Sequence, residues 1–264
     1  MFTKHLIYSN TALFPKIKME FGYCRVALSP VRSDKKDSAE MVNQLVFGEA
    51  VEIKDKDGNW IYIKSSYDGY EGWIDEKQIN YLSQKEYSNW IENSTFLFSN
   101  HQQIRTPFGT QTIYTGSFVG KSTPSFSIGN QEYQLTKKNQ PKPFITFAKQ
   151  FLNTSYLWGG KSIVGIDCSG FTQLVFRSQK LFIPRDASQQ IHLGTEIQFN
   201  ENKEGDLAFF TNTTGRVIHV GLILKNNLII HSSGRVKVDK LDATGILNIE
   251  TGTYSHRLYQ IKRI

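Results

Sequence analysis

The stretch GIDCSGF, residues 165–171, carries one of only two cysteines in a chain of 264 residues. It follows the turn-forming segment YLWGG (156–160) and precedes the apolar run LVF (174–176). The spacing of the apolar residues after Cys168 predicts a helix that begins at this cysteine. Free N–H groups and the macrodipole at a helix N-terminus favour a thiolate over a thiol, so this position suits a nucleophile.

The sequence leaves three other roles open for Cys168. It could be a small core residue at a helix start, one half of a disulfide with Cys24, or a metal ligand beside His219 and His231. Two cysteines without a C-x-x-C motif do not form a disulfide framework, and Cys24 reads as a buried, inert thiol. Three ligands without a second cysteine make a weak zinc pattern, so we predict neither a metal nor another cofactor.

A catalytic cysteine needs a base from elsewhere in the chain. His219 lies in the strand-like segment VIHVGLIL, and His231 ends the next one, LIIHSSG. The Asn226-Asn227 turn between them predicts a hairpin, which would place the two imidazoles near each other. One histidine would then pair with Cys168 while the other orients it. The remaining histidines lack such a setting: His5, His101, His192 and His256.

The C-terminal half reads as helices followed by strands, which is typical of an α+β domain. The predicted helices cover 144–151, 168–180 and 186–192, and the predicted strands cover 206–210, 217–224, 228–231 and 257–264.

The N-terminal half shows short apolar runs divided by turn-forming residues, which predicts small β-barrels. Asp57-Gly58 is a strong hairpin signal in the first run of strands, and Gly129-Asn130 marks a turn in the second. We therefore expect a multidomain chain of four parts: an N-terminal lead-in (1–24), a first β module (25–82), a second β module (83–139) and the α+β domain (140–264).

Composition narrows the class of protein. Apolar residues make up 39% and charged residues 21%, which is typical of a globular chain. The net charge is +7, but the Lys and Arg residues are scattered, so we predict no nucleic-acid partner. No apolar run approaches the roughly 20 residues of a bilayer span, so we expect no membrane partner. The first residues do not resemble a secretory signal. We expect a cytoplasmic protein, with a periplasmic or secreted one as the alternative if a leader was removed.

The C-terminal motifs together resemble the NlpC/P60 family of papain-like cell-wall cysteine peptidases. They are YLWGGKSIVGIDCSGF, IPRDASQQ, GDLAFF, VIHVGLIL and LIIHSSG, and they occur in the family's order. The resemblance implies a papain-like α+β core and a hydrolase that needs no cofactor. It also implies that Cys168 is the nucleophile, His219 the base, and His231 the polar third member that orients the base.

The N-terminal segments SAEMVNQLVFGEAVEI and GYEGWI resemble the first bacterial SH3 module of the γ-D-glutamyl-L-diamino acid endopeptidases. These enzymes carry two SH3 modules before the catalytic domain and act on peptidoglycan stem peptides with a free N-terminal L-Ala. By resemblance, Glu40 and Tyr70 contact the substrate from the SH3 side. On the catalytic side the implied contacts are Asp167, Ser169, Asp186 and Ser188.

The charges of the implied contacts suit this substrate, because a free α-amine is a cation that Glu40 and Asp167 can bind with charge-assisted hydrogen bonds. The implied role is recycling of murein peptides. Two alternatives remain: an amidase or acyltransferase of the same fold, and a non-enzymatic cell-wall-binding SH3 protein. The sequence does not determine the oligomeric state or the choice between diaminopimelate and lysine.

Overall fold

The computed structural model describes residues 20–121 and 124–264 of the chain. The N-terminal strands are β1 (Phe21–Cys24), β2 (Leu28–Arg32), β3 (Met41–Val46), β4 (Ala50–Asp57), β5 (Trp60–Ser65), β6 (Glu71–Asp75) and β7 (Ile79–Leu82). They form one antiparallel sheet in the order β3-β2-β6-β5-β4-β1-β7. The predicted hairpin is confirmed: Asp57 pairs with Trp60, and Gly58 supplies the positive φ of +58° that the turn requires.

The first sheet begins earlier than the predicted boundary at residue 25. Strand β1 pairs with both β4 and β7, so it is an interior strand of the sheet. Tyr23 and Cys24 are fully buried in it, because both side chains reach apolar clusters that the short segment alone does not reveal. Residues 21–24 of the predicted lead-in therefore belong to the sheet, and residues 1–19 lie outside the described part of the chain.

The middle of the chain forms a smaller β structure after a helix. Its elements are α1 (Gln84–Asn93), β8 (Ser94–Phe96), β9 (His101–Thr106), β10 (Gly109–Tyr114), β11 (Phe118–Gly120), β12 (Ser125–Ile128) and β13 (Gln131–Leu135). Ser83 and Glu86 close a capping box that fixes the start of α1. Four strands pair in the order β10-β9-β13-β12, and β8 pairs with β11.

The C-terminal part contains the remaining helices and a second seven-stranded antiparallel sheet. Its elements are α2 (Phe144–Lys149), β14 (Lys161–Ser162), β15 (Gly165–Ile166), α3 (Cys168–Arg177), α4 (Ala187–Gln190), β16 (Thr195–Ile197), β17 (Leu207–Thr211), β18 (Val217–Leu224), β19 (Leu228–Ser233), β20 (Arg235–Leu241), β21 (Gly245–Leu247) and β22 (Tyr254–Arg263). The sheet order is β16-β22-β17-β18-β19-β20-β21. The three predicted helices are present but shorter, and β16, β20 and β21 were not predicted.

Helix α3 is buried along its whole length, which positions the site. Its apolar residues Phe171, Leu174 and Val175 join one core cluster with residues of β17, β18 and β19. Its polar residues Gln173 and Arg177 are buried as well, because they face the N-terminal part of the chain. The helix therefore lies between the C-terminal sheet and the first β module.

Both cysteines are free and buried, so the Cys24–Cys168 disulfide left open by the sequence is not formed. Across 20–121 and 124–264, no cluster of three or more His, Cys, Asp or Glu side chains is arranged to hold a metal ion. Within the same residues, no helix is long and apolar enough to span a bilayer.

Candidate active site

Cys168 is the first residue of α3, as the sequence predicted. The preceding residue, Asp167, caps the helix by accepting a hydrogen bond from the Gly170 N–H at 2.7 Å. A Cβ on Gly170 would lie 2.5 Å from the Gly160 carbonyl oxygen, so only glycine allows the helix to start this close to the loop before it. The packing of this loop fixes the cysteine at the wall of a cleft.

His219 and His231 lie on the paired strands β18 and β19, also as predicted. Nε2 of His219 is 2.8 Å from Nδ1 of His231. Gly221 is directly opposite His231, and a Cβ there would lie 2.9 Å from the His231 Cβ. The absence of a side chain at Gly221 therefore leaves room for the His231 side chain to extend towards His219.

The histidine pair continues to a carboxylate that sequence reasoning missed. Nε2 of His231 is 3.0 Å from Oδ2 of Asp239, and the same carboxylate is 3.1 Å from the Lys237 ammonium. Both residues lie on β20, which pairs with β19. The alternating segment RVKVDKL after Gly234 is a hairpin signal that would have placed Asp239 beside this strand.

A third histidine also reaches the site, although its position in the sequence did not suggest it. The His256 ring stacks on the His219 ring with centroids 4.2 Å apart and an interplanar angle of 22°. His256 lies on β22, which pairs with β16, β17 and β21, and it lies opposite Ile246 of β21. No local pattern in the sequence indicates this pairing, so the expectation that His256 lacks a setting near the site is wrong.

Burial sets the proton affinities of the central pair. It raises the pKa of the Cys168 thiol to about 12, and the Asp167 carboxylate adds to that increase. Burial also holds the pKa of His219 well below its usual value, with His231 and His256 contributing. Both shifts favour the neutral thiol and the neutral imidazole, in contrast to the thiolate expected from a helix N-terminus.

Asp167 is already paired with a cation that sequence reasoning missed. The Arg185 guanidinium binds both carboxylate oxygens, at 2.9 Å to Oδ1 and 2.6 Å to Oδ2. The Gly159 N–H also donates to this carboxylate at 2.9 Å. The charge of Asp167 is therefore neutralised inside the protein, and its geometry suits support of the Cys168 helix better than capture of a substrate amine.

A cavity of about 440 Å³ contains most of the predicted contact residues. Those on its wall are Tyr70, Asp167, Cys168, Ser169, Asp186 and Ser188. Asp186 is half-buried, and burial raises the pKa of its carboxyl group, with Asp167 and Asp68 adding to the increase. Burial likewise raises the pKa of Tyr70 to about 12, and the nearby Asp186 charge contributes. The tyrosine of the first module and the aspartate of the catalytic part thus face the same space.

Glu40 is linked to the cavity wall by a hydrogen bond from a tryptophan. Its carboxylate accepts a hydrogen bond from the indole N–H of Trp158 at 2.6 Å, and the Trp158 side chain lines the cavity. Glu40 itself is exposed at the rim. The contact joins the segment before β3 to the YLWGG turn, so one end of the cleft is bordered by both parts of the chain.

A buried ionic cluster holds the first module against α3. Glu49 accepts hydrogen bonds from Lys161 at 3.0 Å and from Arg177 at 3.1 Å. Asp68 accepts from Gln173 at 2.9 Å and lies 4.0 Å from Lys161. All four charged side chains are almost fully buried. Because Asp68 is two residues before Tyr70, this cluster fixes the position of the tyrosine over the cleft.

Comparisons with known proteins agree with this architecture. Residues 153–262 match the NlpC/P60 family, and residues 31–79 match the bacterial dipeptidyl-peptidase SH3 domain. The chain is 27% identical over 228 residues to a gamma-D-glutamyl-L-lysine dipeptidyl-peptidase of Bacillus cereus, covering 73% of this chain and 67% of the relative. It is 26% identical over 241 residues to the protein of the same name from Bacillus subtilis, covering 83% and 80%.

A solved structure shows the same fold. The crystal structure of an NlpC/P60 family protein from Bacillus cereus superposes with a TM-score of 0.75 at 20% identity, covering 92% of this chain and 99% of that one.

Proposed function

The chain belongs to the NlpC/P60 family of cysteine peptidases and carries a bacterial SH3 domain, and we propose that it cleaves the γ-D-glutamyl-L-diamino acid bond of peptidoglycan stem peptides with a free N-terminal L-Ala. The observation that carries this proposal is the shared cavity: Cys168 opens onto the same space as Tyr70 of the SH3 domain and Asp186. The likeness to two γ-D-glutamyl-L-lysine dipeptidyl-peptidases supports it.

The proposed reaction runs through an acyl-enzyme. The Cys168 sulfur attacks the γ-carbonyl carbon of D-Glu while His219 takes the thiol proton. His219 then returns that proton to the departing amine of the diamino acid, and water releases L-Ala-γ-D-Glu. The backbone N–H of Cys168, at the start of α3, is positioned to stabilise the developing oxyanion.

We assign recognition of the free amine to Asp186, Tyr70 and Glu40. Asp167 is less suited to this role than the sequence suggested, because Arg185 already neutralises it. Ser169 is likewise held within 2.9 Å of Arg185, so it supports the Asp167–Arg185 pair from the cleft wall. Ser188 is the second residue of the short helix α4 and lines the cavity, so we assign it a contact with the peptide backbone.

The proposal also covers the domain organisation of the chain and its role in the cell. We place a papain-like core at 140–264, a first SH3-like module at 21–82 and a second at 83–139. The second module would serve as a scaffold that holds the first. A peptidase restricted to free N-termini acts on peptides already released from glycan strands, so we propose a role in murein peptide recycling in the cytoplasm.

The test compares L-Ala-γ-D-Glu-diaminopimelate with its N-acetylated form, using Cys168→Ala as the control. Cleavage of the free-amine peptide alone, lost in Cys168→Ala, is the expected result. Equal cleavage of both peptides would remove the amine-reading roles, and no cleavage of either would contradict the proposed substrate.

A matched pair of variants sharpens this test. Asp186→Asn should reduce the preference for the free-amine peptide, because it removes a charge from the cavity wall. Asp55→Asn, an exposed aspartate in β4, should leave the preference unchanged.

A further inference from the structure

His219 and His231 form part of a longer chain of hydrogen bonds that ends at a buried carboxylate. Asp239 is 1% exposed, and its Oδ2 atom contacts His231 Nε2 at 3.0 Å. Its other oxygen, Oδ1, accepts a hydrogen bond from the Ile249 N–H at 2.9 Å. The backbone and the carboxylate thus hold each other in place. The donor-to-acceptor direction of the whole hydrogen-bond chain follows from this fixed end.

The carboxylate is ionised, so it can only accept. Hydrogen bonds from His231, the Ile249 N–H and Lys237 hold the pKa of Asp239 far below its usual value. An ionised carboxylate has no proton to donate, so Nε2 of His231 must carry the hydrogen in their contact. A neutral imidazole with hydrogen on Nε2 has a bare Nδ1. Burial lowers the pKa of His231, which keeps this ring neutral.

The donor and the acceptor in the contact between His219 and His231 are then fixed as well. Since Nδ1 of His231 is an acceptor, Nε2 of His219 must donate across their 2.8 Å contact. A neutral His219 with hydrogen on Nε2 has its Nδ1 free of hydrogen. That atom is the one available to take a proton from a neighbouring thiol.

We propose that Asp239 is a positioning residue that sets the tautomers of both histidines, making Nδ1 of His219 the base for Cys168. The inference deepens the proposed function and rests on it for its catalytic consequence. In the step it controls, the S–H bond of Cys168 breaks and an N–H bond forms on Nδ1 of His219, while Nε2 keeps its hydrogen. The imidazolium then donates to Nδ1 of His231, and the chain ends on the Asp239 charge.

Two other titratable groups lie near the hydrogen-bond chain of His219, His231 and Asp239, and neither changes which atoms donate and which accept. Lys237 donates to the same Asp239 oxygen and is mostly buried, so it is a fixed cation beside the carboxylate. His256 stacks on the face of the His219 ring, and burial lowers its pKa to about 4, so it is neutral at neutral pH. Its stacked orientation leaves the edge nitrogens of His219 free for the chain.

The direct test is ¹⁵N NMR of histidine-labelled wild-type protein near neutral pH. Long-range correlations report which ring nitrogen carries hydrogen, and both His219 and His231 are expected as the Nε2-protonated tautomer. Finding His231 protonated on Nδ1 would overturn the proposal. This measurement needs no substrate, so it stands or fails separately from the proposed peptidase activity.

The matched variants are Asp239→Asn and Asp242→Asn. The amide of Asp239→Asn has one oxygen for the three donors that face the carboxylate, so it disturbs the tautomers while preserving shape. We expect kcat to fall about 10- to 100-fold, as for other partners that orient a functional histidine, with KM unchanged. Asp242 lies just past the end of β20, is half-buried, and accepts hydrogen bonds from Thr244, Gly245 and Tyr254 and not from the histidines, so Asp242→Asn should keep wild-type kcat and tautomers.

Thermal unfolding of both variants separates a folding defect from a positioning defect. Wild-type kcat and unchanged tautomers in Asp239→Asn would contradict the proposal. If that variant does not fold, the tautomers of the wild-type protein still decide the matter.

Discussion

The His256 ring stacks face to face on the His219 ring, with ring centroids 4.2 Å apart, although 37 positions separate the two residues in the sequence. The contact covers one face of the base, and the edge contact with His231 holds its ring from the side. The position of the His219 ring is therefore fixed in two directions, by stacking and by hydrogen bonding.

The stacking contact predicts that His256→Phe keeps most of the activity, because a phenyl ring can occupy the same face. His256→Ala removes the contact, and an aromatic pair worth about 1 kcal/mol corresponds to a loss of roughly fivefold in kcat. Steady-state kinetics on the free-amine tripeptide checks this. Equal activity of the two variants would show that stacking does not position His219.

Burial of His256 also predicts a loss of stability in acid. Its pKa is about 4 in the folded protein and about 6.5 in an unfolded chain, so the unfolded state binds the proton first as pH falls. The free energy of unfolding should therefore decrease between about pH 6.5 and pH 4. Because Phe cannot titrate, urea unfolding of His256→Phe should show a shallower decrease over that window, and identical slopes would contradict the prediction.

The proton affinities of Cys168 and His219 predict how alkylation depends on pH. Burial raises the pKa of the Cys168 thiol to about 12 and lowers the pKa of His219, so the iodoacetamide rate of the wild-type protein should rise about tenfold per pH unit up to pH 10. His219→Gln should keep this slope. A wild-type plateau near neutral pH that is lost in His219→Gln would contradict the prediction, because it would show a preformed thiolate–imidazolium pair.

The second cysteine provides the control for alkylation. Cys24 is fully buried and burial raises its pKa strongly, so Cys168→Ala should show no alkylation under native conditions. A plateau near pH 8.5 in His219→Gln would mean that Cys168 is more exposed than its contacts indicate.

The buried ion cluster predicts a large effect of a single neutral substitution. Glu49→Gln leaves Lys161 and Arg177 without their shared anion, and breaking a buried pair costs about 3–5 kcal/mol. The exposed pair of Glu52 and Lys54 is the matched control, and Glu52→Gln should cost less than about 1 kcal/mol. Urea unfolding compares the two, and similar losses would show that the cluster does not stabilise the domain contact.

Arg216 predicts a preference among diamino acids. Two arginines line the cavity, and Arg185 is committed to Asp167, which leaves Arg216, just before β18, to meet the substrate. His219 in β18 protonates the leaving amine in the proposed reaction, so we place Arg216 on the side of the leaving group. Arg216→Gln should lower kcat/KM for the diaminopimelate peptide about tenfold while sparing the lysine peptide, because only the former carries a second carboxylate there.

Kinetics with both peptides checks the role of Arg216, and Arg257→Gln on the exposed part of β22 is the control. An equal loss for both peptides would assign Arg216 to binding the D-Glu part instead.

Local signals were enough to predict the elements that hold the cysteine and the two strand histidines. The apolar spacing after Cys168 predicted α3, and the Asn226-Asn227 turn predicted the β18–β19 hairpin, because helix period and hairpin turns are encoded within a few residues. The roles of these three residues remain predictions, as do those of the contacts on the cavity wall.

Sequence reasoning failed where partners are distant in the chain. Arg185 is 18 positions from Asp167, Glu49 is 112 positions from Lys161, and His256 is 37 positions from the His219 ring on which it stacks. A charged residue alone does not reveal whether it is solvated or buried against an opposite charge. The pairing of Asp167 with Arg185 is such a contact, and only the structure shows it.

The sequence by itself determined the order of the elements, the position of Cys168 at a helix start and the pairing of the strands that carry His219 and His231, since turn, cap and period signals act over short distances. Only the tertiary structure decided which charges are neutralised, which imidazole nitrogens carry hydrogen and how strongly Cys168 holds its proton. Those properties depend on burial and on contacts between residues far apart in sequence, because desolvation and Coulomb interactions follow distance in space.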